Sequence, residues 1–166
     1  MAEILSTCPG CGIEMLSDNA GLDDQYNASP ACRTLYDELS AYTLSLLDPD
    51  FIHQYIVDAY AASHSGSLVK PIRTAFALVG LYLAVERGYT GRQVQKAHMV
   101  LANRQKNWPR FNPPLLKPRL TVLDVLGSPP GVARNEKIRD WMRSVWEIWE
   151  EDHQRVRQLL QNYLYA

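Results

Sequence analysis

The chain has 166 residues, of which 46% are hydrophobic and 21% charged, and its formal net charge is −1. That is apolar material for one well-filled domain and not comfortably for two. The near-neutral balance removes any electrostatic case for nucleic acid or an anionic membrane surface, and no apolar run reaches the ~18 residues that a membrane-crossing helix needs.

The opening MAEILSTCPG has neither a basic head nor a long apolar stretch, so no secretory leader is expected and the expected setting is a reducing cytoplasm. Residues 1–28 are rich in Gly, Asp, Asn and Ser without a sustained period. They read as an irregular lobe that needs some tie to order it. A helix follows. Ser29 can cap the free amides and Pro30 suits the first helical position, where no N–H is needed. Leu35, Leu39, Tyr42 and Leu46 then recur at helical spacing, and Asp48-Pro49 ends the run.

A second helix is expected from about Asp50 to His64, with Phe51, Ile52, Tyr55, Ile56 and Ala59 on one face and Ser65-Gly66 as its stop. The third begins near Pro71. Its run FALVGLYLAVERG is apolar nearly all round, which predicts the central, most buried helix, and Gly88 terminates it. Thr90 and Gln93 fit a capping box for a fourth helix from about Gly91 to Gln105. Residues 107–119 carry four prolines and are excluded from helix. TVLDVLG is a short helical or extended piece. A last helix is expected from about Asn135 to Tyr163, with Ile138, Trp141, Met142, Val145, Ile148, Trp149, Val156, Leu159, Leu160 and Tyr163 as its apolar stripe. No alternating strand pattern persists. The expected class is all-α: one domain over 1–166, built as a bundle of about five helices (29–166) under an irregular N-terminal cap (1–28).

The chemistry concentrates in CPGCG at 8–12. Two thiols separated by two residues match the bite of a tetrahedral zinc. Pro9 stiffens the turn, and Gly12 can take a positive φ that lets backbone amides face the sulfurs. A thiol–disulfide motif would instead sit between a strand and a helix, and GIEMLSDNAGLDD makes a poor helix. A plain turn with incidental cysteines is the third reading. Three cysteines, an odd number, argue against a closed disulfide framework, so metal is favoured. Cys32, in the first turn of the first helix, is the remaining thiol, and the positive end of the helix dipole suits a thiolate there. Its bland alternative is a small buried hydrophobe.

The fourth ligand comes from His53, His64, His98 and His153. A short connection makes the first two helices antiparallel neighbours, which sets Cys32 beside His64. His53 lies about 16 Å away along the second helix at 1.5 Å per residue. His64 is therefore preferred, with His53 as the alternative. His53, Asp58 and Tyr60 are the residues expected to support the ligands or to form a polar site beside them. His153, after Trp146 and Trp149, reads as the edge of an aromatic seam, and His98 as a solvated side chain on a polar helix. Asp58 in IVDAYA and Glu86 in LAVERG each read as a capping or Arg-paired carboxylate, or as a general base. Trp108 and Phe111 mark the 107–119 loop as a partner-facing strip, or as a crossover pinned by its aromatics.

The stretches CPGCG at 8–12, SPAC at 29–32, VDAYAASH at 57–64, LYLAVERG at 81–88 and WMRSVWEIW at 141–149 resemble a family of uncharacterised bacterial proteins known only as a domain of unknown function. The resemblance spans nearly the whole chain. It implies a small helical protein with a metal site in which Cys8, Cys11, Cys32 and His64 belong together, and it implies no activity. Members often carry a histidine shortly before the tyrosine of the N-terminal lobe. Here Asp24 and Gln25 precede Tyr26, a departure from that pattern.

The leading functional expectation is a filled, structural Cys3His zinc site that staples residues 1–28 to the junction of the first two helices. The chain would then be an interaction or scaffold module, with a protein partner or a second copy of itself and no nucleic-acid or membrane partner. A zinc-dependent hydrolase-type enzyme, with an open metal position and Asp58 or His53 as base, is the alternative. A thiol redox switch through Cys8 and Cys11 is the second.

Overall fold

The computed structural model describes residues 4–16, 26–104 and 107–163. Gln105, expected at the end of the fourth helix, lies outside these residues, as do Asp24, Gln25 and the side chain of Tyr163.

Helix α1 (Pro30–Ser45) starts as its sequence demands: Ser29 is extended, its hydroxyl accepts from Cys32 N at 3.2 Å, and Pro30 occupies the first turn. Helix α2 (His53–Ser63) begins three residues later than Asp50. The reason is local. The Asp48 carboxylate accepts from the amides of Asp50 and Ile52, both at 3.0 Å, while Leu47 and Phe51 take positive φ. A carboxylate that captures those amides holds the chain in a turn rather than a helix. Helix α3 (Pro71–Arg87) ends at Gly88, which is left-handed with φ 68°. Helix α4 (Gly91–Arg104) opens with the reciprocal Thr90–Gln93 pair, Gln93 N to Thr90 Oγ1 at 3.2 Å and Thr90 N to Gln93 Oε1 at 2.8 Å. TVLDVLG resolves to a short helix, α5 (Val122–Gly127), capped by Thr121 and Asp124.

The long last helix is broken. Helix α6 (Val132–Ile148) gives way to one 3-10 turn (Glu150–Asp152) before α7 (His153–Tyr163). His153 causes the break in part. Its Nε2 bonds the Trp146 carbonyl at 2.9 Å and its ring stacks on the Trp146 indole at 3.7 Å. An unbroken helix would spend that carbonyl on the amide four residues on. Trp149 supplies the other anchor: it is buried, and its indole N–H donates to Ala62 O at 3.2 Å.

The N-terminal lobe is not wholly irregular. Strands β1 (Leu5–Thr7) and β2 (Glu14–Leu16) form an antiparallel ribbon in the register Leu5 to Leu16, Ser6 to Met15 and Thr7 to Glu14. The architecture is otherwise all-α, with seven α-helices among the described residues. Helix α3 is the centre, and Ala75, Leu78, Val79, Leu81 and Leu83 are wholly buried. Burial on nearly every side accounts for its all-round apolar sequence.

The 107–119 loop is irregular, with Phe111 buried and Trp108 half-buried. Phe111 is 3% exposed with the Arg155 guanidinium 4.3 Å over its ring, and Trp108 packs edge-on against Phe76 at 4.8 Å. These side chains pin the loop to the bundle, which is the crossover reading of the two. The large apolar residues that the loop turns outward are Leu115 and Leu116. No helix among the described residues is long and apolar enough to cross a membrane.

Candidate metal centre

The ribbon delivers two thiols on one turn. Cys8 N donates to Ile13 O at 2.8 Å and Gly12 N to Cys8 O at 2.9 Å, with Gly12 at φ 84°. Only a residue without Cβ adopts that φ at no cost. The first turn of α1 delivers Cys32, and the C-cap position of α2 delivers His64. Three separate segments thus converge. The ligand atoms of Cys8, Cys11, Cys32 and His64 all lie within 4.8 Å of one another, and all four residues are buried.

The spacing suits an ion at the middle. Tetrahedral zinc with bonds of ~2.3 Å to sulfur and ~2.0 Å to nitrogen places two sulfurs about 3.8 Å apart and sulfur and nitrogen about 3.5 Å apart. Cys11 Sγ and Cys32 Sγ are 3.8 Å apart, and Cys32 Sγ and His64 Nε2 are 3.3 Å apart. The imidazole is oriented for the task. Its Nδ1 lies 2.7 Å from Tyr60 O, a group that only accepts, so Nδ1 carries the proton and Nε2 turns its lone pair to the sulfurs.

Further donors reach the sulfurs: Ser29 N to Cys8 Sγ and Tyr60 Oη to Cys32 Sγ, both at 3.4 Å. Such donors stabilise thiolate charge. Crowding by the Cys11 and Cys8 sulfurs pushes the Cys32 thiol up, and hydrogen bonds from Cys11 and Cys32 hold the Cys8 thiol well below its ordinary range. Four buried ligand atoms this close together could hold a metal ion, which would favour the ionised thiols.

The surroundings lock the knuckle onto the helices. Asn27 N donates to His64 O at 2.8 Å and Asn27 Nδ2 to Ser65 O at 3.2 Å. Tyr60 stacks between His64 at 3.9 Å and Tyr36 at 4.0 Å, with Tyr26 edge-on at 5.1 Å. A Cβ on Gly10 would stand 2.6 Å from Asn27 O and 2.8 Å from Ser63 O, so the knuckle backbone lies directly against the end of α2. From the far side Lys117 donates to Pro9 O at 2.7 Å and Gly10 O at 2.8 Å.

The other residues singled out from the sequence lie elsewhere. His53 sits at the opposite end of α2, its Nδ1 2.9 Å from Thr43 Oγ1, and burial lowers its pKa. Tyr60 supports the cluster as described. Asp58 is buried and, among the described residues, neither caps nor pairs with an arginine; its Oδ1 accepts from Gln54 Nε2 at 3.1 Å. Glu86 takes the Arg157 guanidinium at 3.0 Å and the Trp146 indole N–H at 3.3 Å. His98 is not solvated: it is half-buried, stacks on Phe76 at 4.7 Å and bonds Phe76 O at 2.8 Å, and burial pushes its pKa down to about 4. Lys117 and Asn27 were beyond sequence reasoning. A lysine in a proline-rich loop carries no signal that it reaches a turn more than a hundred residues away.

Among known protein families, the model of a family of unknown function, DUF5946, matches residues 6–150, and the chain belongs to that family. No curated protein and no solved structure matches the chain.

Proposed function

We propose that this member of DUF5946 holds one zinc ion on Cys8, Cys11, Cys32 and His64, and that the ion is structural. The observation that supports this reading is the convergence of four buried ligand atoms within 4.8 Å. Three thiolates and an imidazole form a soft, closed tetrahedral set that suits zinc. With relative exposures of 1%, 5%, 0% and 1% for Cys8, Cys11, Cys32 and His64, a fifth group has little room to approach, which favours a filled site over an open catalytic one. Zinc with three thiolates carries a net charge near −1, and the Lys117 ammonium beside the knuckle offsets it.

The ion ties the β1–β2 ribbon to the start of α1 and the end of α2. A structural zinc contributes on the order of 10 kcal/mol of apparent binding free energy, comparable with the whole stability of a domain, about 5–15 kcal/mol. The chain is then a zinc-stapled interaction module of a reducing compartment, the cytoplasm. Leu115 and Leu116, 100% and 71% exposed, are its outward apolar residues in the 107–119 loop for another protein or a second copy.

The test is metal analysis and thermal unfolding of the purified protein and of Cys8→Ser. The expected result is one zinc per chain in the parent, with metal content and Tm both reduced in the variant. Unchanged values for both would overturn the reading. X-ray absorption counts the ligands: three sulfurs and one nitrogen are expected, and a bound water would move the case to the enzyme.

A further inference from the structure

Away from the cluster, α2, α3 and α4 line most of an open cavity of about 330 Å³. That is the lower end of the range for small-molecule sites. Its walls are largely apolar, and Gln54, Asp58 and His98 line it together with Lys70 and Arg73.

The hydrogen bonds already made by these groups decide what they can offer a ligand. Gln54 spends one N–H of Nε2 on Asp58 Oδ1, which leaves the amide oxygen and a second N–H. His98 Nε2 faces Phe76 O, a group that only accepts, so Nε2 bears the proton and Nδ1 is left with its lone pair. Asp58 Oδ2 has no hydrogen-bond partner among the described residues. It lies against Gly80 so closely that a Cβ there would overlap it, so α2 and α3 meet at the carboxylate. With one Gln54 N–H and the His98 Nε2 proton used, the cavity offers three acceptors, a carboxylate, an amide oxygen and an imidazole nitrogen, beside the second Gln54 N–H. A group with several N–H donors and a positive charge matches them, which describes an ammonium.

The mouth has the opposite character. Lys70 is exposed, and Arg73 is half-buried with its guanidinium 5.0 Å over the Tyr26 ring. Both line the same cavity, and together they repel a simple cation and attract an anion. An acidic interior behind a basic entrance selects a molecule with both charges.

We propose that this cavity binds a small zwitterion, its ammonium inside against Asp58, Gln54 and His98 and its acidic group outside at Lys70 and Arg73, with a short apolar body between. Burial raises the Asp58 pKa well above the ordinary carboxylate value, against the opposing bond from Gln54, and an arriving ammonium restores its charge. The site is independent of the metal reading, because no ligand of the cluster lines it.

The test is calorimetric titration of the protein as purified with γ-aminobutyrate and ε-aminocaproate, alongside caproate and hexylamine. At least one of the two zwitterions should bind saturably, and caproate and hexylamine should each bind at least about tenfold more weakly, a difference of about 1.4 kcal/mol. Asp58→Asn, isosteric and neutral, should remove the advantage of the zwitterion over caproate. Lys70→Gln, on the exposed rim, should remove its advantage over hexylamine and cannot threaten the core, so the proposal stays exposed to failure even if Asp58→Asn does not fold. No saturable binding of either zwitterion up to about 10 mM, caproate binding as tightly as the zwitterion, or equal affinity in Lys70→Gln and the parent would overturn the proposal.

Discussion

Replacing Gly10 with alanine isolates the fit between knuckle and helix. Gly10 is not among the glycines with positive φ, so alanine pays no conformational cost there and its methyl acts by contact alone. That methyl would overlap His64 Cδ2 and stand 2.6 Å from Asn27 O and 2.8 Å from Ser63 O, where ordinary contact begins at 3.4 Å. Both oxygens belong to backbone, and Ser63 lies in the last turn of α2. Relief therefore requires the knuckle to retreat by about 0.8 Å from the element that carries His64. Metal–ligand distances tolerate about 0.2 Å, so Cys8 and Cys11 can no longer share an ion with His64 without strain. Overpacking of this kind costs about 1–3 kcal/mol, or roughly one to two powers of ten in Kd. Competition titration against a chromophoric chelator measures the loss, and the visible spectrum of the cobalt-substituted protein reports whether coordination remains tetrahedral. Unchanged affinity with an unchanged cobalt spectrum would refute the claim that the knuckle is seated against α2. Gly12→Ala is the contrast: its nearest neighbour, Lys117 Cγ, is an ordinary 3.6 Å away, but its φ of 84° makes the side chain strained by about 1–2 kcal/mol.

Two further outcomes are expected. Lys117→Met keeps the aliphatic stem but removes the donors to Pro9 O and Gly10 O; metal affinity should fall about 10–100-fold, as for other groups that orient ligands from behind, and the same competition titration in the parent and the variant checks it. His98→Gln tests the buried imidazole. Because burial lowers its pKa from 6.5 to about 4, the unfolded chain takes up the proton first as pH falls, so the stability that the neutral ring contributes is present above pH 6.5 and is lost progressively toward pH 4, by at most about 3 kcal/mol. The variant should lack that part of the slope in denaturant unfolding between those pH values, and an identical slope would exclude the assignment.

Boundaries written in local chemistry were legible in the sequence. Ser29-Pro30, Thr90 with Gln93, and Gly88 each satisfy or redirect backbone groups within a turn, and the structure uses all of them. The choice of His64 over His53 needed only the rise of a helix and a short connection. Features that depend on distant partners were not legible. The break at Trp149 is hidden because the apolar stripe runs through it unchanged; what interrupts the helix is a ring capturing a carbonyl. The β1–β2 ribbon has three residues per strand and no buried face to betray a period of two. Phe111 and Trp108 in a proline-rich stretch fitted display or pinning equally, and only the placement of Arg155 and Phe76 shows them packed on the bundle. His98 sits on a helix of polar composition, and its burial comes from the neighbouring Phe76.

The order in which the four clustered residues leave the ribosome bears on how the cluster assembles. The knuckle is translated first, yet Cys32 follows Cys11 by 21 residues and His64 lies 32 residues beyond Cys32. The Lys117 clasp comes 108 residues after Pro9, and Trp149, which holds the carbonyl of Ala62, comes 87 residues after that residue. At about 5–20 residues per second, the nascent thiols wait on the order of ten seconds before their shelter is complete. During that interval they meet whatever oxidant or competing ion the cell supplies.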